Sequence, residues 1–220
     1  MDKAVKNLNT IKENIKIAAD EADRDIDDIK LIIVTKKFTE ENIKPLLDEG
    51  HLFFGENRVQ EAQDKWPNLL HNYDNVELHM IGPLQTNKVK PALELFTAIH
   101  TVDRLSLVEK LIRNIEEIKK VKEFFVQVNL ANEKQKSGLL IDELGEFIKT
   151  IEGKLNISGL MCIPPKEEDP EIHFAFLNQL ARRINFPNLS MGMSSDFHSA
   201  ILFGATHIRV GEAIMGRRSE

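Results

Sequence analysis

A lysine stands where the first apolar run of the chain turns polar: Leu31-Ile32-Ile33-Val34 is followed by Thr35-Lys36-Lys37. Side chains alternate across a strand, so Ile32, Val34 and Lys36 share one face and Ile33, Thr35 and Lys37 the other. If the Ile32 face points into an apolar interior, Lys36 follows it. An amine desolvated there has a lowered pKa and becomes a nucleophile suited to Schiff-base chemistry. Two solvated lysines capping a strand are the plainer alternative, and strand phase alone does not separate Lys36 from Lys37.

A second cluster suits an anion. Gly192-Met193-Ser194-Ser195 offers backbone N–H groups, two hydroxyls and the start of a helix, and Gly211-Glu212-Ala213 opens another short helix. Helix starts present N–H donors and a dipole that favour phosphate. Simple capping by Ser194 or Ser195 explains either start alone, but two adjacent starts favour phosphate. Other chemistries lack their residues. Gly192-Met193-Ser194-Ser195-Asp196 has Asp where a nucleophile elbow needs its second Gly, and there is no Walker loop or dinucleotide glycine fingerprint. The seven histidines include no pair at metal-ligand spacing, and one cysteine cannot build a zinc cluster. His79 reads as a packing histidine and Cys162 as a small residue in a loop.

The elements that must position these residues alternate. Strands are expected at Leu31 to Lys36, His51 to Phe54, Val76 to Ile81, Ala98 to Val102, Lys122 to Asn129, Leu155 to Met161, Leu189 to Met191 and His207 to Val210. Helices are expected at Glu40 to Glu49, Arg58 to Leu70, Thr86 to Leu95, Arg104 to Lys119, Ile141 to Ile151, Glu171 to Ile184 and Ser195 to Phe203. Val5, Leu8, Ile11, Ile15 and Ala18 add an amphipathic helix at the start. Strand-helix alternation with runs apolar on both faces argues a parallel sheet under helices, and eight units suggest a closed (β/α)₈ barrel. Such a barrel takes about 250 residues, so 220 would make a compact one. An open doubly wound sheet is the rival, and it needs His51 to Phe54 and Leu189 to Met191 to be loops. No linker or composition shift divides the chain, so residues 1–220 read as one domain, with Pro164 to Pro170 a long loop.

In a parallel barrel the site lies at the carboxyl ends of the strands. The residues standing there are Lys36, Glu56-Asn57, Gly82 to Lys88, Asn129, Ser194 and Arg209-Val210-Gly211-Glu212. The formal net charge of -6 argues against affinity built on nucleic-acid phosphates. One cysteine excludes an intrachain disulfide, and no run approaches the roughly 18 apolar residues that span a bilayer. A cytoplasmic protein without a membrane anchor is expected.

In combination these pieces resemble the pyridoxal 5′-phosphate (PLP) homeostasis proteins. The carrying residues are Val34-Thr35-Lys36, Phe54-Gly55-Glu56-Asn57-Arg58-Val59-Gln60-Glu61 and His79-Met80-Ile81-Gly82-Pro83-Leu84-Gln85-Thr86-Asn87-Lys88. Then come Val128-Asn129 to Lys136-Ser137-Gly138, Gly159-Leu160-Met161, Leu189-Ser190-Met191-Gly192-Met193-Ser194 and Ile208 to Gly216. The resemblance implies a PLP fold-type III (β/α)₈ TIM barrel with an extra N-terminal helix, like the amino-terminal domain of alanine racemase. It implies a Schiff base of PLP on Lys36, phosphate on Ser194 and the N–H groups of Gly211 and Glu212, Asn57 near the ring and Arg209 at the pyridine nitrogen. Leu78-His79-Met80-Ile81-Gly82 replaces the usual Trp-His-Phe-Ile-Gly, Thr35 a common Ser, and Arg58 a common aromatic, which bears on how the rim near the second and third strands packs.

The implied role is to carry PLP and take part in vitamin B6 homeostasis without a committed reaction. PLP-dependent apoenzymes would be recipients, the chain a monomer, and Lys136 a candidate second exchange lysine. The alternative is a PLP-dependent amino-acid racemase. Two-base racemases of this fold use a tyrosine from a separate β domain. Here the one tyrosine, Tyr73, is expected on the amino-terminal side, and the chain is expected to stop about ten residues after its eighth strand. An arginine facing the pyridine nitrogen is donor-only, which leaves the ring unprotonated and a weaker electron sink.

Overall fold

The computed structural model of the protein describes residues 2–115, 120–133 and 137–216. Its strands are β1 (Lys30–Val34), β2 (Phe53–Glu56), β3 (Glu77–Met80), β4 (Ala98–Val102), β5 (Glu123–Asn129), β6 (Leu139–Leu140), β7 (Ile157–Met161), β8 (Asn188–Ser190) and β9 (His207–Val210). All pairings are parallel. The order β4-β3-β2-β1-β9-β8-β7-β5 closes on itself through β4 and β5, giving an eight-stranded barrel, while the two-residue β6 pairs outside the ring with β5. The eight expected strands are the eight ring strands, so the open doubly wound sheet is excluded.

The helices are α1 (Lys3–Glu21), α2 (Glu40–Asp48), α3 (Val59–Asn72), α4 (Val89–Leu95), α5 (Leu105–Ile115), α6 (Ile141–Ile151), α7 (Pro170–Arg183), α8 (Phe197–Leu202) and α9 (Glu212–Met215). The helix expected from Thr86 splits into a 3₁₀ turn, Thr86–Lys88, and α4. The one expected from Ser195 starts two residues later. Residues 116–119 and Lys136 lie outside the described residues. Among the described residues no helix is long and apolar enough to cross a membrane.

Two apolar layers result from strand alternation. Leu31 and Ile33 join the main core between sheet and helices, together with the fully buried Trp66 and Phe54, whose ring centroids lie 5.1 Å apart. Ile32, in register with Arg209, faces the barrel interior instead. Helix α1 buries Val5, Leu8, Ile11, Ile15 and Ala18 as its spacing dictates, and Asn7 Nδ2 donates to the Ile214 carbonyl at 2.9 Å, tying α1 to α9 beside the carboxyl rim.

The expected first strand is too long by two residues. It stops at Val34, and Thr35 to Phe38 form a turn closed by Phe38 N donating to the Thr35 carbonyl at 3.1 Å, with Lys37 at φ 66°. Lys36 is therefore aimed by a turn rather than by strand pleat.

Packing between β7 and β8 leaves no room at Gly159, paired with Asn188: an added Cβ would lie 2.0 Å from the Asn188 carbonyl oxygen. Gly159→Ala is expected to cost about 1–3 kcal/mol or more, the usual range for overpacking. Equilibrium urea unfolding checks this, and an unchanged midpoint contradicts it.

Candidate functional site

The turn that carries Lys36 is clamped from behind by α3. Lys65, buried, donates from Nζ to the carbonyls of Thr35 (2.8 Å) and Phe38 (3.0 Å), so one ammonium holds both ends of the turn. It also lies 2.8 Å from Glu56 Oε1 and 3.1 Å from Glu61 Oε1, and Glu61 accepts the Lys37 backbone N–H. Glu56 in turn accepts from Thr35 Oγ1 at 2.6 Å and Trp66 Nε1 at 3.1 Å. Burial pushes the Glu56 carboxyl above its ordinary value, against Lys65, Thr35 and Trp66, which favour the carboxylate. With Thr35 fully buried in this clamp and Lys37 exposed, Lys36 is left half-buried. The structure thus separates the two lysines that strand phase could not.

The two helix starts also meet. Ser194 does not cap its own helix: its Oγ accepts from Gly211 N at 3.2 Å and Ala213 N at 3.3 Å, across from the β8 end to the β9 end. Asp196 Oδ1 takes the Met193 N–H instead, and Ser195 is exposed. Gly192 permits this crossing, with φ 91° and an added Cβ only 2.6 Å from Ala200 Cβ. Gly211 is pressed on β1, where a Cβ would meet Val34 Cβ at 3.2 Å. Glu212 follows as the exposed first residue of α9.

Arg209 is the buried cation of the interior. Nη1 donates to Ser190 Oγ at 2.7 Å and Nη2 to the Cys162 carbonyl at 2.9 Å, which engages two of its five donors. Burial lowers its pKa, opposed by Cys162 and Asp196, but guanidinium remains charged. Asn57 leaves β2 at the same rim, half-buried, and lines a cavity of about 500 Å³ with Arg58, Gln60, Met80, Gln85 and Lys88. The loop after β3 touches its backbone at Gly82, where a Cβ would sit 2.2 Å from the Asn57 carbonyl oxygen.

Lys36, Asn57 and Gly211 therefore leave the adjacent strands β1, β2 and β9 on one rim, with Ser194 bonded to Gly211 and Arg209 beneath. Lys65 and Ser190, and the carbonyl of Cys162, are contributors that reading the sequence missed, while Glu56 was placed at the rim but not in the clamp. The signal for them was a polar residue in an apolar strand or on a helix's buried face. Cys162 itself is buried, with its thiol pushed up to about 12 by desolvation. Tyr73 caps α3 at the opposite end of the barrel and donates to Asp48 Oδ1 at 2.7 Å.

No family model matches the sequence. The chain is 35% identical over 224 residues to the pyridoxal phosphate homeostasis protein of Pasteurella multocida, covering 96% of each. It is 33% identical to that of Escherichia coli K12, covering 99% of this chain and 98% of the relative. Among solved structures, PipY of Synechococcus elongatus with PLP bound superposes with a TM-score of 0.79 at 33% identity, covering 86% of this chain and 93% of that one. An alanine racemase of Clostridium difficile shares the fold at a TM-score of 0.74 and 15% identity, covering all of this chain and 58% of the racemase.

Two measurements test the site's electrostatics. Lys65→Met strands Glu56 without its counter-ion and should cost about 3–5 kcal/mol of stability in urea unfolding; a near-neutral effect would refute the clamp. Acid should also destabilise the protein. Burial lowers His51 and His79 from 6.5 to about 4, so the native state binds fewer protons than the unfolded chain once pH falls below 6.5. Stability is then full above 6.5 and lost down through about 4, by at most about 1.4 kcal/mol per pH unit for each histidine. A urea midpoint unchanged between neutral pH and about pH 5 would contradict this.

Proposed function

The chain belongs to the pyridoxal phosphate homeostasis protein family, and we propose that it holds PLP at the carboxyl rim of the barrel as a covalent adduct of Lys36. The observation that carries this is Arg209. A buried cation whose hydrogen bonds go to a hydroxyl and a carbonyl, not to a carboxylate, has donors left for a neutral acceptor, and a pyridine nitrogen is one. Ser194 and the N–H of Glu212 would hold the phosphate, joined by the Gly211 N–H once Ser194 Oγ turns from it to the phosphate, and Asn57 would border the ring. When bound, PLP supplies an aldehyde carbon that an amine attacks with loss of water.

The residues around it favour carrying over turnover. Lys36 is the attacking amine, kept half-buried by the Lys65 clamp. Arg209, always charged, keeps the ring nitrogen unprotonated and so weakens the ring as an electron sink. A racemase also needs a base on the second face, and the one tyrosine is engaged with Asp48 at the opposite end. We read the chain as a single domain over residues 1–220, monomeric and cytoplasmic, with no committed reaction, handing PLP to PLP-dependent apoenzymes. The net charge of -6 speaks against nucleic acid as a partner.

Purified protein loaded with PLP, reduced with borohydride and digested should carry its label on the Lys36 peptide. Lys36→Ala should lose the label and keep its circular dichroism spectrum. Label retained in that variant would overturn the assignment.

A further inference from the structure

Below Arg209 three buried side chains join end to end through the barrel interior. Ser190 Oγ, which accepts from Arg209 Nη1, lies 2.7 Å from His100 Nδ1, and His100 Nε2 lies 2.9 Å from His79 Nδ1. His79 Nε2 lies 3.8 Å from Glu77 Oε2 at the amino-terminal mouth. There Glu77 meets Lys30 at 3.4 Å and Lys122 at 3.2 Å. Ser190, His100 and His79 are all fully buried, and His100 stacks on Phe125 at 4.4 Å between ring centroids.

The arginine end of this chain sets its direction. Arginine only donates. Ser190 accepts from Arg209, so its own hydrogen goes to His100 Nδ1; otherwise a buried hydroxyl hydrogen is stranded at a cost of about 1–3 kcal/mol. His100 then carries its proton on Nε2 and donates to His79 Nδ1, which places the His79 proton on Nε2, toward Glu77. Each imidazole must be neutral for this to hold. Burial provides for that, lowering His79 to about 4 and His100 further. The charged and titratable groups facing the pair are Lys30 on β1, Glu77 on β3, Glu123 on β5, and His207 and Arg209 on β9. Lys30, Arg209 and His207 disfavour protonation, while Glu77 and Glu123 favour it.

We propose that Ser190, His100 and His79 are positioning residues, a one-way relay of hydrogen bonds that orients the Arg209 guanidinium toward the ring nitrogen of the cofactor and ends at His79 Nε2, which faces Glu77 Oε2 at 3.8 Å, an electrostatic contact beyond hydrogen-bonding distance. The inference rests on the reading that PLP sits above Arg209. It makes a demand that reading does not: a residue that touches neither Arg209 nor the rim must alter the cofactor's titration.

The test has one arm without cofactor and one with it. In the apoprotein, imidazole ¹⁵N spectra should show His79 and His100 neutral at pH 7, protonated on Nε2 and bare on Nδ1. A charged ring or an Nδ1 proton on His100 would overturn the relay, and this arm needs no variant to fold. With PLP, the pH titration of the bound chromophore's absorbance should shift in His100→Phe, which keeps the stack on Phe125, and affinity for PLP should fall about fivefold, as for one lost neutral hydrogen bond. His100→Gln, able to accept and donate, should return both toward wild type. A folded His100→Phe that titrates and binds like wild type would overturn the proposal. Wild type that forms no adduct with PLP would instead sink the underlying reading, and that control is measured first.

Discussion

The rest of the site depends on one buried charge. Arg209 sits inside a closed barrel, where water cannot solvate it, and every hydrogen bond around it answers that desolvation. Ser190 and the Cys162 carbonyl approach it from β8 and the end of β7. In the interior below, His79 and His100, with Phe125 stacked on His100, stand where branched apolar side chains fill most parallel barrels, and neutral imidazoles there accept hydrogen bonds without carrying charge. A second buried charge, Lys65, does the same work on the outer face of β1, where it holds a turn of backbone. The inner cation lies below the carboxyl rim, and the outer one holds both ends of the turn that carries Lys36.

Much of this was legible in the sequence. Runs such as Leu31-Ile32-Ile33-Val34, apolar on both faces, argued strands covered inside and out, and eight of them between helical stretches suggested a closed ring over the open doubly wound rival. Ser194 with Gly211 was readable because small residues clustered at two successive helix starts, although the bond crosses between elements and neither serine caps its own helix. Strand alternation left Lys36 and Lys37 open and was carried two residues too far; the choice of Lys36 came from the resemblance. The turn that aims it depends on Lys65, which lies about thirty residues away and reads locally as one more lysine of an amphipathic helix.

The interior relay was not legible, for a related reason. His79 and His100 each look like one polar residue in an apolar strand, and a packing role is the natural local reading. Only closure of the barrel brings β3, β4, β8 and β9 within hydrogen-bonding reach, and the direction of the relay emerges only when Arg209, a donor without an acceptor, is seen at its head. Tyr73 shows the reverse case. Its position before β3 placed it away from the rim from sequence alone, and the structure gives it a partner there.

The measurement that tests the account most directly is a crystal structure of the protein grown with PLP. The account predicts density continuous from Lys36 Nζ into the cofactor, the ring nitrogen within hydrogen-bonding distance of Arg209, and the phosphate against Ser194 and Gly211. Density continuous with a different lysine, or a phosphate seated away from Ser194 and Gly211, would contradict it.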